Sequence, residues 1–453
     1  MKNIKKMIVL VMMTGIITSG TVLAACAREW DWTKAAEPYK GTMISVRINY
    51  HPAILAQLPW AVKEFEKKTG IGVQFSMMTR RNLIGKQEIE LAAGSSTYDI
   101  IYISTDVAAR YRRAGWAEAL EPYVENPQLT DPDFDLEDFV QTYLNAVSPP
   151  LGKGPLLGLP FSGESSIMFY RKDIFKKYGI TQFPDTMEEF EKVAAKINTK
   201  EIPAFGARAQ RGQGINVYIW SGWLWSYGGE FFDEEMKPVI NSPEAVRAAE
   251  EYASLLQRFG PEGIANMNHH DLVPMFAQGY LAMFPDATVW VTVFNDPKRS
   301  DVIGKWAAAQ IPKGPAGRFT AIGPQEMAIN AFSKNKEAAW LFLQWFTSKE
   351  IQLKRATEVP GKAGDVTRLS VMQHPEYRKI WNAGTNWITA TAKAASIAKL
   401  DYRPTHLPEW VEIGDIIGIA IQDVIARKTK AKPALDEANK RIYEIMKRAG
   451  YYE

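Results

Sequence analysis

The sequence has few of the residues that build covalent or metal-dependent sites. Its 453 residues include one cysteine and five histidines, which excludes an internal disulfide and any site with several cysteine ligands. No histidine has the spacing of a zinc motif, and the adjacent pair His269-His270 stands in a polar stretch. A Gly-x-Ser-x-Gly motif is absent as well. We therefore expect neither a metal nor another cofactor.

The net charge of the chain is also small. The chain has 54 basic and 51 acidic residues, a formal charge of +3. Lys2, Lys5 and Lys6 are the only charged residues among the first 25, so without that segment the two signs balance. A neutral body argues against a nucleic-acid-binding protein, which usually has a basic face. Hydrophobic residues at 46% and charged residues at 23% are ordinary for a soluble globular chain of two or three domains.

The longest apolar run is at the N-terminus, where Met7–Leu23 follows the lysines. Polar residues within this run favour a secretory signal over a membrane-spanning helix. The run ends in Leu23-Ala24-Ala25-Cys26, which resembles the bacterial lipobox, in which the cysteine becomes the lipidated first residue. That resemblance implies a signal peptide over 1–25, a lipidated tether over 26–40 and an extracytoplasmic protein anchored at a membrane surface. Two alternatives stay open, namely an ordinary signal peptide with an incidental cysteine and a buried cysteine.

Beyond the tether, strand and helix patterns alternate. Met43–Ile48, Val73–Met77 and Asp99–Ile103 predict strands, and the last has the isoleucine-rich run of a strand covered on both faces. Helical spacing separates these strands, and Gly70 marks the end of the first helix. Strands that alternate with helices predict an α/β fold with a mostly parallel sheet.

Two segments rich in proline and glycine interrupt this pattern, one between Ser148 and Pro160 and the other at Ile311–Pro315. Such segments predict turns or crossings between parts of a chain. Two helix starts are also marked. Thr186 and Glu189 have the spacing of a capping box, and Ser242-Pro243 has the order of an N-cap followed by proline.

Aromatic residues are abundant between Tyr218 and Tyr227, where they alternate with serines and follow Asn216. Flat aromatic faces beside hydrogen-bonding groups suit sugars, whose C–H faces stack while their hydroxyl groups bond. The alternative, that these rings fill a hydrophobic core, stays open.

Several segments together resemble the family 1 extracellular solute-binding proteins of bacterial ABC importers, a group with maltodextrin- and polyol-binding members. The matching segments follow the family's order: Phe65–Ile71, Gly94–Ile101, Leu159–Pro160, Tyr170–Phe175, Phe183–Phe190, Ser333–Trp340 and Ala434–Ala438. Each segment alone is a weak signal, but the ordered set spans nearly all of the mature chain.

The resemblance implies a two-lobe, type II periplasmic-binding-protein-like fold of the α/β class, with the ligand in a cleft between hinged lobes. The lobes are expected over 41–153 plus 308–360 and over 154–307 plus 361–453. Lobe closure on the ligand would be the event that the permease recognises. The implied protein is a monomeric binding protein without enzymatic activity, and its partners are a neutral carbohydrate or polyol and the ABC permease.

Site residues follow from the same resemblance, residue by residue, and from the aromatic cluster. Asp106 and Glu164 match acidic sugar contacts, since a carboxylate accepts two hydroxyl hydrogen bonds. For Asp106, a helix N-cap is the open alternative. The complete set of expected ligand contacts is Tyr50, His51, Asp106, Glu164, Asn216, Tyr218, Trp220, Trp223, Asp286, Gln325, Arg403 and Trp410.

Two other functions remain open from the sequence. One is a glycan-active hydrolase that uses Glu164 with a second carboxylate, because a chain rich in acidic residues always contains candidates. The other is a structural surface lipoprotein. Within the solute-binding family, an aliphatic residue, Ile103, lies near the position where maltodextrin binders present tryptophan, which favours a small ligand such as a polyol or monosaccharide.

Overall fold

The computed structural model describes residues 30–55, 57–150, 152–212, 214–382, 384–399 and 407–452. The predicted signal peptide over 1–25, the predicted lipidation site Cys26 and the predicted ligand contact Arg403 lie outside these residues. Among the residues described, no helix has both the length and the apolar composition that crossing a bilayer requires.

The elements alternate along the chain. The strands are β1 Met43–Asn49, β2 Gly72–Met78, β3 Ile100–Ile103, β4 Leu159–Ser162, β5 Ser166–Arg171, β6 Met283–Ala287, β7 Trp306–Ala309, β8 Thr320–Ala321, β9 Gln325–Ile329 and β10 Ala398–Lys399. The helices are α1 Trp32–Ala36, α2 Pro52–Leu55, α3 Leu58–Thr69, α4 Arg80–Ala92, α5 Thr105–Ala114, α6 Glu121–Val124, α7 Gln141–Ala146, α8 Lys172–Lys177, α9 Met187–Ile197, α10 Val217–Ser226, α11 Pro243–Phe259, α12 His269–Ala277, α13 Val291–Phe294, α14 Lys336–Phe346, α15 Lys349–Thr357, α16 Leu369–Gln373, α17 Pro375–Trp381, α18 Trp387–Ile397, α19 Trp410–Ile425 and α20 Ala431–Arg448.

A five-stranded sheet with the order β2-β1-β3-β9-β4 organises the first part of the fold. β1 pairs in parallel with β2 over its whole length and also pairs in parallel with β3, as the alternation of strands and helices predicts. β9 comes from a distant part of the chain and runs antiparallel to both β3 and β4. The sheet is therefore mixed, with its parallel part at one side.

A second sheet has the order β6-β5-β7 and is antiparallel throughout. Its edge strand β6 begins at Met283, and before it the Tyr280 N–H donates to the Met275 carbonyl at 2.8 Å and closes the end of α12. Asp286 lies within the strand. β8 and β10 form a separate parallel pair.

The chain changes sheets over only three residues, Gly163–Ser165, which separate β4 from β5. A second connection lies beside the first, since Ser165 forms an isolated bridge with Ile322 and the Gly323 N–H donates to the Glu164 carbonyl at 3.0 Å. That connection leads into β9 of the first sheet. Both connections lie after the proline- and glycine-rich segments noted in the sequence. Glu164 is thus part of the backbone link between the two sheets.

Each sheet has its own set of packed helices. The second sheet shares one hydrophobic core with α9, α10, α11, α12, α19 and α20. All ten residues of α10 are buried, as expected of a helix that is apolar on every side. The first sheet packs on α3 and α14, where the rings of Phe65 and Phe342 meet edge-on with centroids 5.1 Å apart.

The segment predicted as a tether over 26–40 is in part structured. Trp32–Ala36 forms α1, and Glu37–Tyr39 follows as a 3-10 turn. Trp32 and Ala36 are one helical turn apart and both are buried, so one face of this short helix packs towards α3. A single turn of helix is too short to show a hydrophobic period in the sequence.

The predicted helix starts are confirmed. The Thr186 hydroxyl accepts a hydrogen bond from the Glu189 N–H at 3.1 Å, and Glu189 reaches back to the Thr186 N–H at 3.2 Å, which completes the capping box of α9. Ser242 caps α11 through the Ala245 N–H, with Pro243 as the first helical residue.

Candidate ligand-binding site

Three buried carboxylates are each paired with a basic side chain from a distant part of the chain. The first is Glu164, in the connection between the sheets, which is 7% exposed. Its Oε1 atom lies 2.5 Å from Nε2 of His51, two residues beyond the end of β1. The neighbouring Tyr50 is 55% exposed, so it lies at the surface and takes no part in this pair.

The second carboxylate is Asp106, in the first turn of α5 and also buried. It accepts a hydrogen bond from the Ser104 hydroxyl at 2.6 Å and forms an ion pair with Arg80. Arg80 begins α4 shortly after β2 ends, so the pair joins the carboxyl ends of two parallel strands. The N-cap of α5 is Ser104, and the alternative that Asp106 is the cap is therefore wrong.

Gln325 links three strands of the first sheet. At the start of β9, its Oε1 accepts hydrogen bonds from Asn49 Nδ2 at 3.1 Å and from the Tyr102 hydroxyl at 2.8 Å. Burial raises the pKa of Tyr102 to about 12, although the Arg80 guanidinium lowers it, so the phenol is protonated and donates at neutral pH. Gln325 is thus held in one orientation beside the carboxyl ends of β1 and β3.

The third carboxylate is Asp286, on β6, which has no exposed surface. Arg208 donates to it through both Nε, at 2.8 Å, and Nη2. The backbone N–H of Ala287 and the indole N–H of Trp290 each donate to Oδ1 at 2.7 Å. The guanidinium also lies over the ring of Tyr218, 4.8 Å from its centroid. The charge-assisted hydrogen bonds between the planar guanidinium of Arg208 and the planar carboxylate of Asp286 hold both side chains in one orientation.

The Arg208–Asp286 pair lies beside the connection that contains Glu164, since Asp286 pairs with Ile167 of β5 and the Thr288 N–H donates to the Ser165 carbonyl at 3.0 Å. Burial lowers the pKa of Arg208, but Asp286, Tyr218 and Glu164 raise it, and the outcome is a pKa above the ordinary value. The 3-10 turn Thr288–Trp290 also contacts α2, the helix that follows β1. Groups from both sheets therefore meet around the connection between them.

Trp220 and Trp223 are core residues, which corrects the expectation that they stack on a ligand. Neither has any exposed surface. The ring of Trp223 meets Tyr252 edge-on with centroids 5.1 Å apart, and Trp220 meets Phe231 at 6.2 Å. The cluster is explained by α10 itself, a fully buried helix that packs against α11 and α19.

Three other expected contacts have structural surroundings. Trp410 is 2% exposed and packs edge-on against Phe231 at 5.2 Å, so it belongs to the same core and does not close a cleft. Asn216 is fully buried and donates to the carbonyls of Ala209 and Gly418 at 3.0 and 2.9 Å, which fastens α10 to α19. Tyr218 is 2% exposed and supports Arg208 with its ring face.

Of the basic partners of the carboxylates, His51 is among the expected contacts, whereas Arg80 and Arg208 are not. Arg80 and Asn49, the partner of Gln325, stand at the carboxyl ends of β2 and β1, a place where ligands often bind and where they could have been found. Arg208 lies outside any helix or strand, and no feature of the sequence distinguishes it from other arginines. No feature of the sequence distinguishes Trp290 from the other tryptophans either.

The adjacent histidines lie beside Trp290. They begin α12 with ring centroids 4.0 Å apart, and His269 stacks on Trp290 at 5.5 Å. Over the residues that the structure covers, no group of three or more His, Cys, Asp or Glu side chains is arranged to hold a metal ion. The site instead alternates acceptors and donors of hydrogen bonds, an arrangement that suits hydroxyl groups because each one both donates and accepts.

Comparison with known proteins adds a family and a fold. The sequence pattern of the family described as bacterial extracellular solute-binding protein matches residues 52–353. The erythritol/L-threitol-binding protein of Mycolicibacterium smegmatis is 28% identical over 408 residues, which cover 87% of this chain and 83% of that protein.

Two solved structures are similar over nearly their whole length. One is an ABC transporter solute-binding protein of Agrobacterium radiobacter K84 in complex with ribitol, with a TM-score of 0.80 and 28% identity, covering 90% of this chain and 99% of that one. The other, from Agrobacterium vitis S4 with bound D-mannitol, has a TM-score of 0.80 and 26% identity, covering 91% and 100%. The chain accordingly has the two-lobe, type II periplasmic-binding-protein-like fold that the sequence resemblance implied.

Proposed function

The chain belongs to the bacterial extracellular solute-binding proteins, and we propose that it captures a neutral sugar alcohol or small sugar and delivers it to an ABC permease. The similar proteins named above bind erythritol or L-threitol, ribitol and D-mannitol, which are linear polyols of four to six carbons. The observation that supports this proposal is the set of three buried carboxylates, Glu164, Asp106 and Asp286, each beside a basic partner.

The chemistry of these pairs favours a ligand with many hydroxyl groups and no charge. Within the two arginine pairs the charges cancel, so an ionic ligand would find no unbalanced partner there and would lose its hydration at a large cost. A hydroxyl group can donate to the carboxylate and accept from the guanidinium of one pair. Adjacent hydroxyl groups of a polyol could in this way engage adjacent pairs.

We propose that the connection at Gly163–Ser165 and the one at Ile322–Pro324 form the hinge between the lobes. The change of sheet over three residues supports this assignment. The first two boundaries of the lobes would then lie near residues 164 and 323 instead of 153 and 308, and the boundary near 360 stays as the sequence resemblance implied. Glu164 would lie in the hinge and in the site, so ligand contact and lobe angle would be coupled directly.

The lipid anchor is proposed from the sequence, at Cys26. Acyl chains on this residue would hold the protein at the membrane through burial of their methylene groups. Expression of the full chain with Cys26→Ser should release the protein from the membrane fraction, and mass spectrometry of the wild-type N-terminus should find a diacylated cysteine. An unmodified N-terminal segment on membrane-bound protein would contradict the proposed lipid anchor. The proposed ligand binding would not be affected by that result.

Ligand binding is tested by calorimetry and thermal unfolding of the mature chain with erythritol, ribitol, mannitol, glucose and maltose. A ligand at 100 times its Kd stabilises the native state by about 2.7 kcal/mol, which a melting curve detects. Glu164→Gln should weaken binding by about tenfold or more, because a hydrogen bond to a charged group is lost. Glu188→Gln, which removes a largely exposed carboxylate on α9, should bind as the wild type does. No binding to any polyol, or equal binding by both variants, would contradict the proposal. Recovery of unaltered ligand separates binding from the glycoside hydrolase alternative.

A further inference from the structure

A charged cavity separates α5 from the beginning of α19. Its volume is about 530 Å³, and its lining includes two arginines on the α5 side and three carboxylates on the α19 side, namely Arg110, Arg113, Glu409, Glu412 and Asp415. None of the expected ligand contacts that the structure describes lines this cavity. The two walls have opposite charge, and they belong to parts of the fold that are built around different sheets.

An ion pair joins the two walls. Arg113 Nη2 lies 3.2 Å from Glu409 Oε1, and the Glu409 side chain is only 14% exposed while that of Arg113 is 63% exposed. The Tyr451 hydroxyl donates to the other carboxylate oxygen of Glu409 at 3.3 Å, and burial followed by the nearby Glu409 charge raises the pKa of Tyr451 to about 12. Glu409 is therefore held in place on its own side of the gap.

Two further charges on the walls have partners on their own side. Arg110 pairs with Glu88 of α4 at 2.5 Å, and Glu412 lies 3.7 Å from Arg448 of α20. In contrast, the Arg113–Glu409 pair joins two different bodies. α5 follows β3 of the five-stranded sheet, whereas the buried face of α19 lies in the core of the three-stranded sheet.

We propose that Arg113 and Glu409 are positioning residues that hold the two lobes closed by electrostatic attraction across this gap. The inference rests on the proposed function, since it assigns the pair a role in ligand capture without contact to the ligand. Opening of the lobes would separate the pair and expose both walls to water, where a single ion pair has little energy. The pair therefore favours the closed form over the open form.

The consequence that distinguishes this role is salt dependence. Binding of an uncharged ligand to a site whose charges cancel should depend little on ionic strength. The Arg113–Glu409 pair, which we call the latch, is partly exposed. Its attraction should weaken as the Debye length falls from about 30 Å at 0.01 M salt to about 3 Å at 1 M. The Kd for a neutral polyol should accordingly rise with salt, by about two- to fivefold for a pair of this exposure.

The first experiment measures the Kd of the mature chain for ribitol and mannitol by calorimetry across that salt range. Arg113→Ala and Glu409→Ala should each weaken binding at low salt by about two- to fivefold and remove most of the salt dependence. The double variant should be no weaker than either single variant, since the residues act as one pair. Lys192→Ala removes a comparable ion pair within α9 and should leave both the Kd and its salt dependence unchanged.

The second experiment does not need a ligand. Small-angle X-ray scattering of the unliganded protein should give a larger radius of gyration for Arg113→Glu than for the wild type at low salt, because two like charges then face each other. Exchange of the two residues, Arg113→Glu with Glu409→Arg, should restore the wild-type radius.

The outcomes separate the latch from the proposed function. If no polyol binds to the wild type, the proposed function is wrong, and the scattering data alone decide about the latch. If polyols bind with a salt-independent Kd in the wild type and in Arg113→Ala, the latch is wrong and the proposed function stands. Equal radii for Arg113→Glu and the wild type would likewise refute the latch.

Discussion

Loss of the Asp286 carboxylate should destabilise the protein more than loss of any surface carboxylate. Asp286 has no exposed surface and accepts four hydrogen bonds, two from Arg208 and one each from the Ala287 N–H and the Trp290 indole. Asp286→Ala removes both acceptor oxygens, and with them all four hydrogen bonds, and leaves a buried guanidinium without its carboxylate partner. Breaking a buried pair from one side costs about 3–5 kcal/mol, a large part of the roughly 5–15 kcal/mol that holds a typical domain together.

Urea unfolding with linear extrapolation measures this loss, provided the slope with denaturant is unchanged. The matched control is Asp185→Ala, which removes a carboxylate that pairs with Lys313 and Arg318 but is 60% exposed. An exposed pair contributes about 1 kcal/mol or less. A loss for Asp286→Ala that is no larger than the loss for Asp185→Ala would refute the reasoning.

A double replacement then separates stability from binding. Arg208→Met with Asp286→Leu removes both charges and fills their space with apolar groups, which for other buried pairs is neutral or stabilising. The double variant should therefore recover most of the stability lost in Asp286→Ala. It should still fail to bind a polyol, because the donor and acceptor are gone. Wild-type affinity in this variant would exclude the pair from the ligand site.

Further outcomes follow from burial and from backbone geometry. Trp223→Phe should lower the free energy of unfolding by about 1–3 kcal/mol and leave polyol affinity within twofold, as measured by calorimetry, since this ring is in the core. Burial, and next the Arg208 charge, lower the pKa of His269 well below its ordinary value of 6.5, so its contribution to stability is complete above that pH and is lost as the pH falls towards the lowered pKa. His269→Gln should consequently flatten the dependence of the unfolding free energy on pH below 6.5, and an unchanged slope would contradict this. A Cβ on Gly163 would lie 2.3 Å from the Tyr143 ring, whereas one on Gly85 would have no neighbour within 4 Å. Gly163→Ala should therefore lower the melting temperature, while Gly85→Ala in the middle of α4 should stabilise by about 0.5–1 kcal/mol, and a shift of the same sign in both would contradict the hinge geometry.

Local sequence signals predicted the elements of this fold well. The capping box at Thr186 and the Ser242-Pro243 start depend on residues within four positions of each other, so their outcome does not depend on the rest of the chain. The parallel pairing of β1 with β2 and β3 follows from the same kind of local alternation. The resemblance to a known family supplied the two-lobe architecture, which local patterns alone do not determine.

Features that depend on partners far along the chain could not be predicted from the sequence. The antiparallel strand β9 enters the first sheet after more than two hundred residues, and its pattern is no different from that of a parallel strand. The tryptophans of α10 looked like a stacking surface because the sequence shows their spacing but not the helices α11 and α19 that cover them. The neighbours of an aromatic residue in the fold decide whether it packs in the core or contacts a ligand.

The partners of the three carboxylates in the site also lie far along the chain, and they affect which ligand the site favours. Sequence reasoning selected Asp106 and Glu164 because a carboxylate can bind hydroxyl groups and Asp286 from its position in the family resemblance, and it named no basic partner for any of them. In the fold each has a positive or imidazole partner, and no pair is local, since the two members of the closest pair are 26 residues apart. Three unpaired buried carboxylates would have favoured a cationic ligand, because burial of uncompensated charge is costly. Pairing removes that preference and leaves directional donors and acceptors, so the partners that the sequence could not show are what make a neutral polyhydroxylated ligand the better fit.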